Sequence, residues 1–141
     1  VASRAIMAET RLTVTHTGKE NILESQTPQG ARFTFDSEGV AGASPVQYLV
    51  ASTGACALMD VDIILRKKRL SYANLRVECV GERVKEGESN PVKSIKLVFR
   101  VDGDVPKKAF DDAVRLAVEK YCSVEATLRK PTPVAFETVV G

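Results

Sequence analysis

One stretch of the chain is apolar in every direction. From Val46 to Met59 the only strongly polar side chain is Gln47. Ser44-Pro45 ahead of this run reads as a helix start, because serine can cap free amides and proline has no amide to lose in the first turn. The basic run Arg66-Lys67-Lys68-Arg69 suits the other end, where unpaired carbonyls favour cations. A helix from Ser44 to Arg69 that is apolar all round must be buried all round. Asp60 and Asp62 interrupt it before the roughly 20 apolar residues a bilayer requires. A single small chain has too little protein to wrap such a helix, so a second copy is expected to supply the missing cover.

The flanks alternate instead. Arg11 to Thr17 places Leu12 and Val14 on one face and Thr13 and Thr15 on the other, which predicts a strand. His16-Thr17-Gly18-Lys19 reads as a turn and Asn21 to Ser25 as the returning strand. Thr27-Pro28-Gln29-Gly30 turns again into a third strand, Ala31 to Asp36. A loop with Gly39 and Gly42 leads into the central helix. After it, Leu75, Val77 and Cys79 line one face of a strand, a polar loop spans Lys85 to Pro91, and Ile95, Leu97, Phe99 and Val101 line the next strand. Asp104-Val105-Pro106 opens a helix with Phe110, Ala113, Val114, Ala117, Val118 and Tyr121 at helical spacing. That pattern stops at Cys122, where Ser123 is placed to cap a short helix through Leu128. Pro131 and Pro133 end it, and Val134 to Val140 reads as a closing strand. The expected order is βββ-α-ββ-α-β, a single α+β domain over residues 1–141. Met7 is read as the natural start, with Val1 to Ile6 a leader.

Composition removes several function classes. The 141 residues suffice for one core, and a net charge of +2 gives neither a nucleic-acid footprint nor a field for acidic substrates. One histidine and no C-x-x-C leave no basis for a metal site. Three cysteines at wide spacing are not a secreted disulfide framework, so a cytoplasmic setting is expected. No serine triad can be built on His16 in a polar turn. Gly39-Val40-Ala41-Gly42 has the form of a backbone clamp for nucleic acid but carries no basic residue. Arg66 to Arg69 lacks aromatic interleaving and reads as a solvated helix end, and Asp60 and Asp62 point to different faces of the helix.

The thiols hold the remaining chemistry. Cys79 alternates with Leu75 and Val77 and reads as a small buried hydrophobe. Cys56 lies mid-helix among apolar residues, where thiols are usually inert. Its small neighbours Ala51, Ser52, Gly54 and Ala55 allow close approach of another backbone or leave room for a ligand. Cys122 begins a helix, and a helix N-terminus lowers thiol pKa, so from the residues alone it is the more ordinary reactive candidate.

Ser44-Pro45-x-x-x-Leu49 leading to Ala55-Cys56, followed late in the chain by Glu119-Lys120-Tyr121-Cys122-Ser123-Val124, resembles the OsmC/Ohr family. The run Cys56-Ala57-Leu58-Met59-Asp60-Val61 with Ile64-Leu65 and Lys67 is similar to its YhfA-like branch. The resemblance implies an intertwined homodimer, with two long central helices packed against sheets and active sites at the subunit interface. It implies that Cys56 is a peroxidatic cysteine attacking organic hydroperoxides in oxidative-stress defence, and that Cys122 resolves the sulfenic acid to a disulfide. No cofactor is implied beyond an external dithiol reductant of the dihydrolipoamide type. The chain departs from the family pattern at the motif proline: peroxidase members carry glutamate where Val46 stands, and the YhfA-like branch commonly carries it where Gln47 stands. Gln47 is the expected orienting group of the pocket. Asp60, one turn after Cys56, is a second pocket residue whose charge would raise the thiol pKa. The family's activating arginine has no secure match near His16 and Lys19; Arg11, Arg32 or a partner's arginine are the candidates. The alternative is a redox-inactive dimer binding a small apolar ligand in its interface pocket.

Overall fold

A computed structural model describes residues 5–141. The reading of Val1 to Ile6 as a leader therefore falls largely outside the described residues. The chain divides into two compact units, one reaching to Tyr48 and the other running from Leu49 to Gly141.

The first unit is a three-stranded antiparallel sheet in the order β1 (Val14–His16), β2 (Ile22–Gln26), β3 (Arg32–Asp36). Gly18 and Gly30 turn with positive φ, a conformation glycine adopts without steric cost. Phe33, Phe35 and Tyr48 form its aromatic cluster, with ring centroids 5.0 to 6.1 Å apart, and the Tyr48 hydroxyl donates to the Thr34 carbonyl at 2.6 Å. Asp36 organises the loop that follows. Its carboxylate accepts the amides of Glu38 (2.9 Å), Val40 (3.3 Å) and Ala41 (2.8 Å). Those bonds hold its carboxyl below the usual range, led by Ala41 and Glu38 against an opposing burial cost, with Val40 adding to them. The amides of the Gly39-to-Gly42 stretch are thus partly committed to Asp36 and do not form a clamp for phosphate. Gly42 lies flat on β3, since a β-carbon there would overlap the Thr34 carbonyl oxygen.

Helix α1 (Pro45–Lys67) begins in the first unit and continues through the second. Its start is a reciprocal capping box: Ser44 Oγ accepts the Gln47 amide at 3.2 Å, and Gln47 Oε1 accepts the Ser44 amide at 2.8 Å. At 23 residues, α1 is long and apolar enough to cross a membrane by length and composition alone. Asp60 and Asp62 sit inside it, within the expected span from Ser44 to Arg69, and the expectation that they bar a membrane-spanning length by composition is corrected. Asp62 is accommodated by Arg66 one turn on, at 3.0 Å, and by the Tyr72 hydroxyl.

In the second unit, β4 (Ala73–Arg83) and β5 (Val92–Asp102) form a long antiparallel hairpin, with Val77 opposite Phe99, Cys79 opposite Leu97 and Gly81 opposite Ile95. Helix α2 (Lys107–Leu116), a π-helical turn (Ala117–Tyr121) and α3 (Ser123–Leu128) follow. The core joins Val61 and Leu65 of α1 to Ala113 and Ala117, with Leu75, Phe99, Phe110 and Val114 packed around them. Each fully buried Val or Leu contributes about 1.5–3 kcal/mol. Other apolar side chains of α1 stay open to solvent among the described residues. Leu49, Met59 and Ile63 are exposed, Met59 at 68%.

Two expectations need correction. Val134 to Val140 is not a strand, and Phe136 is 93% exposed. Strands exist by pairing, and no described strand edge pairs with this segment. The run from Phe110 to Tyr121 is not one α-helix either. The Cys122 amide reaches back five residues to the Ala117 carbonyl at 2.8 Å, and the wider turn leaves Tyr121 exposed.

Candidate functional site

Two of the three thiols meet at α1. Cys56 is half-buried on α1, one turn after the buried Thr53. Cys122 is 1% exposed. Its thiol lies 3.9 Å from the Thr53 carbonyl as donor, and it accepts the Glu125 amide at 3.4 Å. The sulfur of Cys122 is therefore the N-cap of α3, a role expected of Ser123, which is instead the first helical residue.

The expectation that a helix N-terminus makes Cys122 the more acidic thiol is also corrected. Burial pushes its pKa up, Cys56 beside it pushes the same way as a hydrogen-bonding neighbour and as a like charge, and the Glu125 and Val124 amides only partly offset this. A six-residue helix has few aligned amides, and a buried sulfur has lost its water. Cys122 is accordingly a protonated thiol at neutral pH, hydrogen-bonded on both sides, with Cys56 beside it. Such an arrangement can close to a disulfide once an oxidant has converted either thiol to a sulfenic acid, whose hydroxyl the other thiol displaces as water.

Cys79 approaches α1 elsewhere. A β-carbon at Gly54 would overlap its sulfur and press on Val77 Cγ1 at 3.0 Å. Gly54 lets β4 lie against the helix, and Cys79 fills that contact.

The other expected site residues are placed as follows. Gln47 belongs to the first unit, where its side chain closes the capping box and faces Gly39. Asp60 is half-buried, one turn after Cys56. Arg11 pairs with Glu9 at 2.8 Å on the surface, and Arg32 is exposed on β3. His16 accepts the Gly18 amide in the β1–β2 turn, and the Lys19 amide donates to Thr17 Oγ1.

Three contributors were missed from the sequence: Thr53, whose carbonyl receives the Cys122 thiol, Glu125, whose amide caps it, and Arg129. Arg129 donates to the Val118 and Glu119 carbonyls at 3.3 and 3.4 Å and pairs with the Glu125 carboxylate. A signal existed for two of them. Cys122-x-x-Glu125 has the spacing of a capping box with sulfur in place of oxygen, and Glu125 and Arg129 are one turn apart.

Comparison with known proteins agrees with this architecture. Residues 36–137 match the family described as OsmC-like protein. Protein YhfA of Escherichia coli K12 is 35% identical over 95 residues, covering 67% of this chain and 70% of YhfA. Among solved structures, a hypothetical protein from Aquifex aeolicus superposes with a TM-score of 0.76 at 29% identity, over 87% of this chain and 89% of the other. The organic hydroperoxide resistance protein OhrB of Bacillus subtilis shares the fold, with a TM-score of 0.57 at 17% identity over 88% and 93% of the two chains.

Proposed function

Because this chain belongs to the OsmC-like protein family, we propose that it is a thiol-dependent peroxidase that reduces organic hydroperoxides through Cys56 and Cys122. The observation that carries the reading is the asymmetry of the pair. One thiol is partly open, on an apolar helix, and the other is buried, protonated and hydrogen-bonded beside it.

In the first step the Cys56 thiolate attacks the outer peroxide oxygen. The O–O bond breaks, the sulfur is oxidised to a sulfenic acid, and the alkoxide takes a proton from water and leaves as the alcohol. In the second, the Cys122 sulfur attacks the Cys56 sulfur. The S–S bond forms, the S–O bond breaks, and hydroxide departs with the Cys122 proton as water. An external dithiol of the dihydrolipoamide type returns two electrons, and no bound cofactor takes part.

A second copy of the chain completes the site in this proposal. Leu49, Cys56, Met59 and Ile63 lie seven, three and four residues apart, which keeps them on one helix face as in a helix–helix seam, and all but Cys56 are exposed large hydrophobics. Two α1 helices packed along that seam would place an apolar wall over Cys56 and favour an alkyl tail over hydrogen peroxide. A homodimer working in the cytoplasm is the setting proposed.

Peroxide consumption with cumene hydroperoxide and a dithiol tests the reading. Cys56→Ser is expected to abolish turnover, and Cys122→Ser to stop after one equivalent with a sulfenic acid on Cys56. Undiminished turnover by Cys56→Ser would overturn it.

A further inference from the structure

Cys122 is held between two elements that are weak by themselves. The six residues of α3 are far below the length at which a helix sustains itself, roughly 12–15 residues. The π-helical turn before it shifts the hydrogen-bond register. The Cys122 amide bonds Ala117 rather than Val118, so the Val118 and Glu119 carbonyls lose the partners an α-helix would give them. Arg129 supplies what is missing. Its Nη2 donates to both carbonyls, at 3.3 and 3.4 Å, and to the Glu125 carboxylate, while its own amide bonds the Glu125 carbonyl at 3.1 Å. The Glu125 amide in turn donates to the Cys122 sulfur at 3.4 Å. One side chain from the far end of α3 thus ties the residues before Cys122 to those after it.

We infer that Arg129 is the positioning residue for the resolving step: it fixes the π turn and α3 around Cys122 so that the sulfur stays aimed at Cys56. This rests on the reading of Cys56 and Cys122 as a redox pair. Arg129 touches neither sulfur and does not take part in the first step. All three contacts come from one nitrogen, Nη2, whose two protons are shared among two carbonyls and a carboxylate, and the rigid guanidinium plane fixes the direction in which those protons point. Closure of the disulfide forms one S–S bond and releases one water, so its rate depends on how the two sulfurs are presented to each other. A misplacement of about 1 Å can cost on the order of a hundredfold.

The test uses the full chain and Arg129→Ala, with two readouts. In the first, reduced protein receives one equivalent of cumene hydroperoxide. A 1,3-dione trap reports sulfenic acid on Cys56, and loss of free thiol reports closure. Sulfenic acid is expected to form at the wild-type rate, with closure slowed about tenfold or more. In the second, without peroxide, iodoacetamide is expected to label Cys122 at least several-fold faster in the variant, with Cys79 labelling unchanged. Closure and Cys122 labelling both at wild-type rates would overturn the inference. So would a slowing of closure accompanied by equal acceleration at Cys79, which would report loosening of the whole unit. Should Arg129→Ala not fold, Arg129→Met, which keeps an apolar stem and removes the donors, takes its place. Slower closure with Cys79 still protected supports the inference, and wild-type closure refutes it. If the wild-type protein itself forms no sulfenic acid on Cys56, the two-cysteine reading fails. The labelling ratio of Cys122 to Cys79 then decides the role of Arg129 in holding Cys122.

Discussion

Cys79 and Cys122 both reach α1, within a turn of each other along the helix, and they meet it in different ways. Cys79 comes from the inner face of a hairpin and presses on Gly54, where shape alone matters: the sulfur fills the space that the absent side chain leaves. Cys122 comes from the junction of a π turn with a short helix and meets α1 through polar contacts, with the Thr53 carbonyl on one side and the Glu125 amide on the other. It also lies next to a second thiol. Residue type alone would have classed them together. Chemistry at a thiol follows from what can change partner around it, and Cys122 has a second thiol beside it with which the proposed reaction would join it.

The largest test of this contrast is a pair of substitutions. Cys122→Ser should end peroxide turnover after one equivalent, while Cys79→Ala should keep turnover within about twofold of wild type, since it removes packing and no reactant. Turnover lost with Cys79→Ala and kept with Cys122→Ser would reverse the assignment. The packing side is tested through Gly54. Gly54→Ala forces a β-carbon into the Cys79 sulfur, and overpacking of this kind costs about 1–3 kcal/mol, to be read from denaturant midpoints. In a Cys79→Ala background that cost should shrink by at least ~0.5 kcal/mol, because residues in contact are not additive. An unchanged cost would mean that the sulfur is not the obstacle.

A smaller effect sharpens the Cys122 side of the contrast through pH. Burial and the neighbouring Cys56 raise the Cys122 pKa, so at neutral pH the resolving sulfur carries its proton. Disulfide closure after a peroxide pulse should therefore quicken as pH rises above neutral, with sulfenic acid accumulating on the acid side. Stability moves the other way. A thiol whose pKa is higher folded than unfolded contributes stability that is fully present below the unfolded value and is lost as pH rises through the folded value. Cys122→Ser should flatten that alkaline part of the stability curve. The smallest effect lies in the first unit. Asp36, 7% exposed and held below its usual range by three amides, contributes stability above the ordinary carboxylate pKa that is lost as pH falls through its folded value. Asp36→Asn should remove that acid dependence, as measured by amide exchange in residues 36–43.

Much of the frame was readable from side-chain periodicity. The three N-terminal strands, the central helix and the β4–β5 hairpin came from patterns of two and of 3.6 residues, and their ends shifted by a few residues because pairing decides where a strand stops: β1 is shorter than its alternating pattern, while β4 and β5 run past theirs. The capping box at Ser44 and Gln47 was legible as Ser-x-x-Gln, yet Gln47 was read only as a pocket group. Periodicity failed after Leu116. A π turn carries no apolar signature of its own, and the α-helical spacing of Ala113, Ala117 and Tyr121 continues straight through it. The alternation from Val134 to Val140 is genuine, but a strand also needs an edge to pair with. The thiol pair was legible only through two motifs taken together, because closeness across 66 positions of sequence is a tertiary fact. The acidity of Cys122 was misjudged because a rule for helix ends was applied without knowing the depth of burial.

The central claim is that Cys56 and Cys122 form a redox pair from which Cys79 is excluded. It is tested most directly by reducing the protein, adding one equivalent of cumene hydroperoxide, alkylating the remaining thiols and mapping the peptides by mass spectrometry. The account predicts a Cys56–Cys122 disulfide within seconds, with Cys79 alkylated. Three alkylated cysteines after hours in peroxide, or a disulfide that includes Cys79, would contradict it.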